Sequence, residues 1–151
     1  MSRKKLIAGG IILLAIIAAV GSLVTSNNAS VSGAETVGVI PIKGTILGGR
    51  QSIFESVAGS EDIMYQIRAA AADPSVKAIV LRINSPGGGV AATQEIAREL
   101  EKLKSTGKPL VVSMGDTAAS GAYWIAAGAD KIFANEGTLT GSIGVIMTLQ
   151  N

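Results

Sequence analysis

The sequence predicts an α/β fold, with helices layered on a sheet, behind an N-terminal transmembrane helix. Three observations carry this. Short β-branched runs alternate with amphipathic runs from Thr36 onward, two of the apolar strands end in loops of glycine and other small residues, and residues 6–24 form an uncharged apolar stretch behind a cationic start. Alternation of this kind points to parallel strands joined by right-handed crossovers, with helices packed on the sheet.

The apolar stretch, "LIAGGIILLAIIAAVGSLV", is close to the roughly 20 residues a helix needs to cross the hydrocarbon core. Arg3, Lys4 and Lys5 precede it, and no further basic residue occurs until Lys43. That bias places residues 1–5 in the cytoplasm and the following domain outside. A cleavable signal peptide is the competing reading, with Ala19-Val20-Gly21 as its cleavage site. Residues 25–35, "TSNNASVSGAE", are small, polar and aperiodic, as a solvated linker is. Residues 36–151 are then expected to form one domain.

Within that domain "VGVIPIKG" at 37–44 is a strand, and Pro41 makes it an edge or bulged one. After the glycine-rich loop at 48–50, Ser60 is expected to cap a helix with Glu61 and Asp62 in its first turn and Ile63, Ile67 and Ala71 inward. Asp73 and Pro74 end it. "KAIVLRI" at 77–83 fits a buried parallel strand. The next helix, about 90–105, turns Ile96, Leu100 and Leu103 inward and Glu95, Glu99 and Lys102 towards water. "PLVVSMG", a helix at about 119–128, and short strands in "KIFAN" and "SIGVIM" complete the order.

Composition removes several chemistries. The chain has no cysteine and no histidine, so thiol nucleophiles, cysteine metal sites and a serine/histidine triad are excluded, and no metal or cofactor is expected. The net charge of +2 from 13 cationic and 11 acidic residues rests on the three N-terminal cations; without them 10 cations face 11 acids. Neither that balance nor five aromatic residues supports nucleic-acid binding.

Two loops follow apolar strands directly: "NSPGGG" at 84–89 and "GDTAASGAY" at 115–123. Sites in α/β sheets form at the carboxyl ends of strands, so both loops are expected on one crevice. Consecutive glycines bring free N–H groups close to a ligand, as an oxyanion hole requires. Ser120 stands at a helix start among small residues, as a nucleophile or as an N-cap. Thr140 and Ser142 are rival hydroxyls, better explained by a turn or bulge at a strand entrance. Without histidine, a neutral lysine would have to take the Ser120 proton. Lys77, Lys102, Lys104, Lys108 and Lys131 all read as surface charges.

Together, "LRINSPGGGV" at 81–90, "SMGDTAASGAYWIAAGADKIFA" at 113–134 and "GTLTGSIGVIM" at 137–147 resemble the signal peptide peptidase A family of membrane-bound serine/lysine peptidases. The resemblance implies a crotonase/Clp-protease fold of ββα units, homo-oligomeric assembly, and a serine/lysine dyad that degrades cleaved signal peptides or other apolar peptides at the membrane. It makes Ser120 the nucleophile, Gly87 or Gly88 the oxyanion loop and Gly121 the second donor. In the short members it places the base lysine well beyond the serine, past Asn151. No general-base lysine is therefore expected in this chain, which reads as a C-terminally truncated member with little or no activity alone. A crotonase-like acyl-thioester enzyme and a catalytically silent membrane scaffold are the alternatives.

Overall fold

Seven strands and three helices are present in a computed structural model that describes residues 34–50 and 57–146. The strands are β1 (Thr36–Lys43), β2 (Thr45–Leu47), β3 (Val57–Gly59), β4 (Val76–Ser85), β5 (Leu110–Ala119), β6 (Lys131–Phe133) and β7 (Leu139–Gly141). The helices are α1 (Ser60–Ala72), α2 (Val90–Lys104) and α3 (Gly121–Ala127). The expected transmembrane segment at 6–24 and all but the last two linker residues lie outside the described residues. Among the described residues, no helix is long and apolar enough to cross a membrane.

Every strand pairing is parallel, in the order β1-β4-β5-β6, with β7 also beside β5. A parallel neighbour cannot be reached by a hairpin, and α1 and α2 are the helices that carry the chain from β3 to β4 and from β4 to β5. A second parallel pair, β2 and β3, joins the loop after β4 through a bridge between Ile46 and Gly88. β1 is an edge strand, which suits Pro41, because its missing N–H is tolerated there.

The core forms where one sheet face meets the helices. Ile40 and Ile42 of β1, Ile79, Leu81 and Ile83 of β4, and Leu110, Val112 and Met114 of β5 alternate inward. They join Ile63 and Ile67 of α1, Ile96, Leu100 and Leu103 of α2, and Ile125 of α3 in a single cluster. Each such burial contributes about 1.5–3 kcal/mol relative to exposure. The intervening strand residues behave differently: Val37, Val39 and Arg82 are exposed, and Val80 and Val111 half-buried. β4 is therefore an alternating strand with one deeply buried face, where its apolar composition predicted burial on both.

Other expectations are corrected locally. Ser60 is the first residue of α1 and makes no capping bond; Gly59 holds the cap position, and Ser60 Oγ instead donates to Glu95 Oε2 at 3.3 Å. Glu99, expected in water, is buried at 8% exposure between Arg68 Nη2 at 3.0 Å and Lys102 Nζ at 2.8 Å. The ion-pair partners come from two helices, so periodicity along α2 alone could not reveal them. "SIGVIM" is no strand where it is described, because Gly141 and Ser142 take positive φ of 84° and 52° and end the ladder one residue earlier.

Candidate active site

β5 carries the chain into the site by an irregular route. Ile83 pairs with Met114, but Ser85 pairs with Ala118, so β5 gains two residues over β4 between these points. Asn84 spans the bulge: its Oδ1 accepts from Thr117 N–H at 3.0 Å and its Nδ2 donates to Asp116 Oδ2 at 3.2 Å. A Cβ on Gly115 would lie 3.0 Å from Asn84 Cβ, so the bulge fits tightly there. Asp116 is thus tied to Asn84, and Asp130 accepts from Leu110 N–H at 2.8 Å.

Beyond the bulge β7 takes over from β6 as the neighbour of β5. Thr138 Oγ1 donates to Gly115 O at 2.9 Å, Thr140 Oγ1 donates to Ala118 O at 2.8 Å, and Ser120 N–H donates to Gly141 O at 2.8 Å. Thr140 therefore anchors the strand that leads to Ser120.

Ser120 forms the corner between β5 and α3, with φ 52° and ψ −122°. A side-chain-bearing residue in this region costs on the order of 1–3 kcal/mol and persists only where its surroundings hold it. Here they are the Gly141 bond behind it and the Trp124 N–H that donates to Ser120 O at 2.9 Å ahead of it. A sharp strand-to-helix turn of this kind lifts a hydroxyl out of the backbone. Ser120 is half-buried, and its Oγ makes no hydrogen bond among the described residues. Since no buried side-chain oxygen there is left unpartnered, the Oγ reaches solvent.

The glycine loop lies directly against this corner. Gly87 has φ 97°, and a Cβ there would come within 2.8 Å of Ala119 O and Gly121 N and 2.9 Å of Ser120 Cβ. Ser85 Oγ steadies the loop by accepting from Gly87 N–H at 3.1 Å. Ile46 N–H donates to Gly87 O and Gly89 N–H donates to Ile46 O, both at 2.8 Å. In a parallel ladder that pattern turns the intervening N–H, that of Gly88, to the opposite side. Gly88 is packed so closely on the Ile46 backbone that a Cβ has no room. The structure thus gathers Ser120, Gly87 and Gly121 at one point, with Gly88 next in the loop.

Sequence reading missed two supports. Asn84 and Thr93 lie far from Ser120 in sequence, and only the parallel register brings them near. Thr93, on the first turn of α2, is buried at 4% and its side chain fills the space beside Gly121.

Three of the candidate lysines are engaged elsewhere. Lys102 binds Glu99; Lys104 Nζ donates to Gly128 O at 2.9 Å and lies 3.1 Å from Asp130 Oδ1; Lys108 Nζ donates to the carbonyls of Ala70, Ala71 and Asp73 at the end of α1. Among the described residues no lysine bonds to Ser120, and no cluster of acidic residues could hold a metal. A groove of about 350 Å³ lies elsewhere, between α1 and α2 beside Glu99.

Known proteins are similar to this chain in sequence and in fold. The model of peptidase family S49 matches residues 102–151. Protease 4 of Salmonella typhi is 50% identical over 119 residues, 77% of this chain and 19% of that protein. A putative signal peptide peptidase SppA of Enterococcus faecium is 47% identical over 88 residues, 58% of this chain and 26% of that one. The chain thus spans about a quarter or less of the length of these two relatives. The 1510-N membrane-bound stomatin-specific protease, solved with a serine replaced by alanine, shares the fold at TM-score 0.60 and 22% identity, over 79% of this chain and 53% of that one. A lysine-to-alanine variant of the same protease, in complex with a substrate peptide, gives 0.54 at 22% identity over 78% and 49%. These sequence matches place the chain in peptidase family S49.

Proposed function

We propose that this chain carries the nucleophile and oxyanion site of a membrane-anchored serine peptidase that degrades cleaved signal peptides. Ser120 Oγ attacks the scissile carbonyl of an apolar peptide, and its proton passes to a neutral lysine Nζ. The tetrahedral oxyanion is held by the N–H groups of Gly121 and Gly88, with Gly87 allowing the two to approach. Collapse breaks the C–N bond, the leaving amine takes the proton back from the lysine, and water then hydrolyses the acyl-Ser120 ester. The lysine comes from outside the described residues, either from another part of the polypeptide or from a neighbouring subunit of a homo-oligomer. The crotonase/Clp-protease arrangement fits this reading, as does the membrane-bound character in the name of the 1510-N protease.

The observation that carries the reading is the strained backbone of Ser120 packed against Gly87. An acyl-thioester enzyme using the glycine N–H groups alone gives no role to that serine, and neither does a silent scaffold. The test is cleavage of a synthetic signal peptide by the membrane-embedded protein in detergent micelles, with ethylamine added as a surrogate base. Cleavage that is promoted by the amine and abolished by Ser120→Ala is expected; cleavage unaffected by Ser120→Ala would refute the assignment.

A further inference from the structure

Thr93 joins the two arms of the site. Its Oγ1 donates to Gly89 O at 2.9 Å, and its N–H donates to the same carbonyl at 3.0 Å. Gly89 directly follows Gly88 and is itself fixed by its N–H to Ile46 O at 2.8 Å. The other side of Thr93 meets Gly121: the position a Cβ would take there is occupied by Thr93 Oγ1, with Thr93 Cγ2 at 3.3 Å and Cβ at 3.4 Å. The Gly121 hydrogen in that position therefore points at the hydroxyl oxygen, a weak C–H···O contact. Thr93 is buried and its hydroxyl has one strong acceptor, so its orientation is set.

We infer that Thr93 is a positioning residue for transition-state binding, whose hydroxyl fixes the Gly88 and Gly121 N–H groups relative to each other. The inference rests on the proposed serine-peptidase reading. The oxyanion needs both donors at hydrogen-bond distance from one oxygen, and the donors belong to separate loops, after β4 and after β5. Gly87 keeps the loops in van der Waals contact. Thr93 sets their spacing by holding the backbone beyond Gly88 with a hydrogen bond while bracing Gly121 from behind. A ground-state peptide does not use that spacing; a tetrahedral adduct does.

The experiment compares two probes on the full chain in detergent micelles: an apolar peptide boronic acid and the same peptide as its amide. Ser120 Oγ adds to boron, releasing its proton to solvent, and the tetrahedral boronate places an oxygen in the anion site, seen by boron NMR. Thr93→Val, which replaces the hydroxyl with a methyl, is expected to weaken boronate affinity by about tenfold or more, given that one lost oxyanion donor costs about 100- to 1,000-fold. Amide affinity should not change, and Thr93→Ser should restore boronate binding. If valine fails to fold, Thr93→Ala makes the same comparison without added bulk against Gly121. Equal losses for boronate and amide, equal losses in Ser and Val, or no loss in Val would each overturn the inference. A wild-type chain with no Ser120-dependent tetrahedral boron overturns the peptidase reading, and this inference with it.

Discussion

Ser120 concentrates the physical cost of the site. Its φ of 52° is one that glycine adopts freely, so replacing the side chain relieves strain only if the Cβ goes too. Ser120→Gly is expected to stabilise the chain by about 1 kcal/mol, after the greater unfolded-state entropy of glycine is set against the relief, and Ser120→Ala to leave stability nearly unchanged. Urea midpoints of the three proteins check this, and all three coinciding would mean the corner is unstrained. Gly87→Ala acts in the opposite direction. Its Cβ would press on Ala119 O, Gly121 N and Ser120 Cβ at 2.8–2.9 Å while forcing alanine to a φ of 97°. A loss of about 2 kcal/mol or more is expected, with Ser120-dependent activity lost even where the variant still folds. The glycines were readable from sequence because the close approach there requires them, and Ser120 because it is a hydroxyl set among alanines and glycines directly after an apolar strand. Asn84 and Thr93 were not, because a short polar side chain on a strand end or helix start carries no local sign of what lies across the sheet.

At the scale of elements, α2 was legible because one apolar face repeats at the right period, and β4 and the first half of β5 because they are short apolar, β-branched runs. The short strands β2 and β3 were missed, since three residues carry no usable periodicity and the pair is held by Gly88 from elsewhere in the chain. The second half of β5 was missed because its small residues pack against β7 instead of alternating. Between α1 and α2 the decisive feature is Glu99, whose carboxyl is held down to about 2 by hydrogen bonds from Arg68 and then Lys102, outweighing burial, which pushes it up. A depressed folded-state value stabilises above the ordinary value of 4.5 and loses that contribution as pH falls toward 2. Because Arg68 and Lys102 are themselves exposed, the contribution is screened to about 1 kcal/mol. Glu99→Gln should lower the urea midpoint at pH 7 and flatten its decline between pH 5 and 2; an unchanged slope would remove Glu99 from the account. Arg68 sits on the other helix, so this bridge also fastens α1 to α2.

Across the whole molecule, one helix-covered sheet face fixes the ends of β4 and β5, and those ends carry the glycine loop and the serine. The core must hold that register, so truncating a central contact should reach the site. Leu81, fully buried on β4, illustrates this: Leu81→Ala is expected to cost about 2–5 kcal/mol, measured by urea denaturation, and to weaken boronate binding in proportion to the unfolded fraction. The α/β class and the parallel crossovers were legible because apolar strands alternate with amphipathic helices along the chain. The bulge in β5 was not, because it depends on the pairing of Ser85 with Ala118. Under the proposed function, Ser120 is a nucleophile beside the Gly121 and Gly88 donors and is short only of a base among the described residues. Fluorophosphonate labelling with ethylamine as surrogate base, mapped by mass spectrometry, tests it most directly. The account predicts a single adduct on Ser120 whose rate rises with amine concentration and which disappears in Gly87→Ala. An adduct on another hydroxyl, or none on Ser120 at any amine concentration, would contradict it.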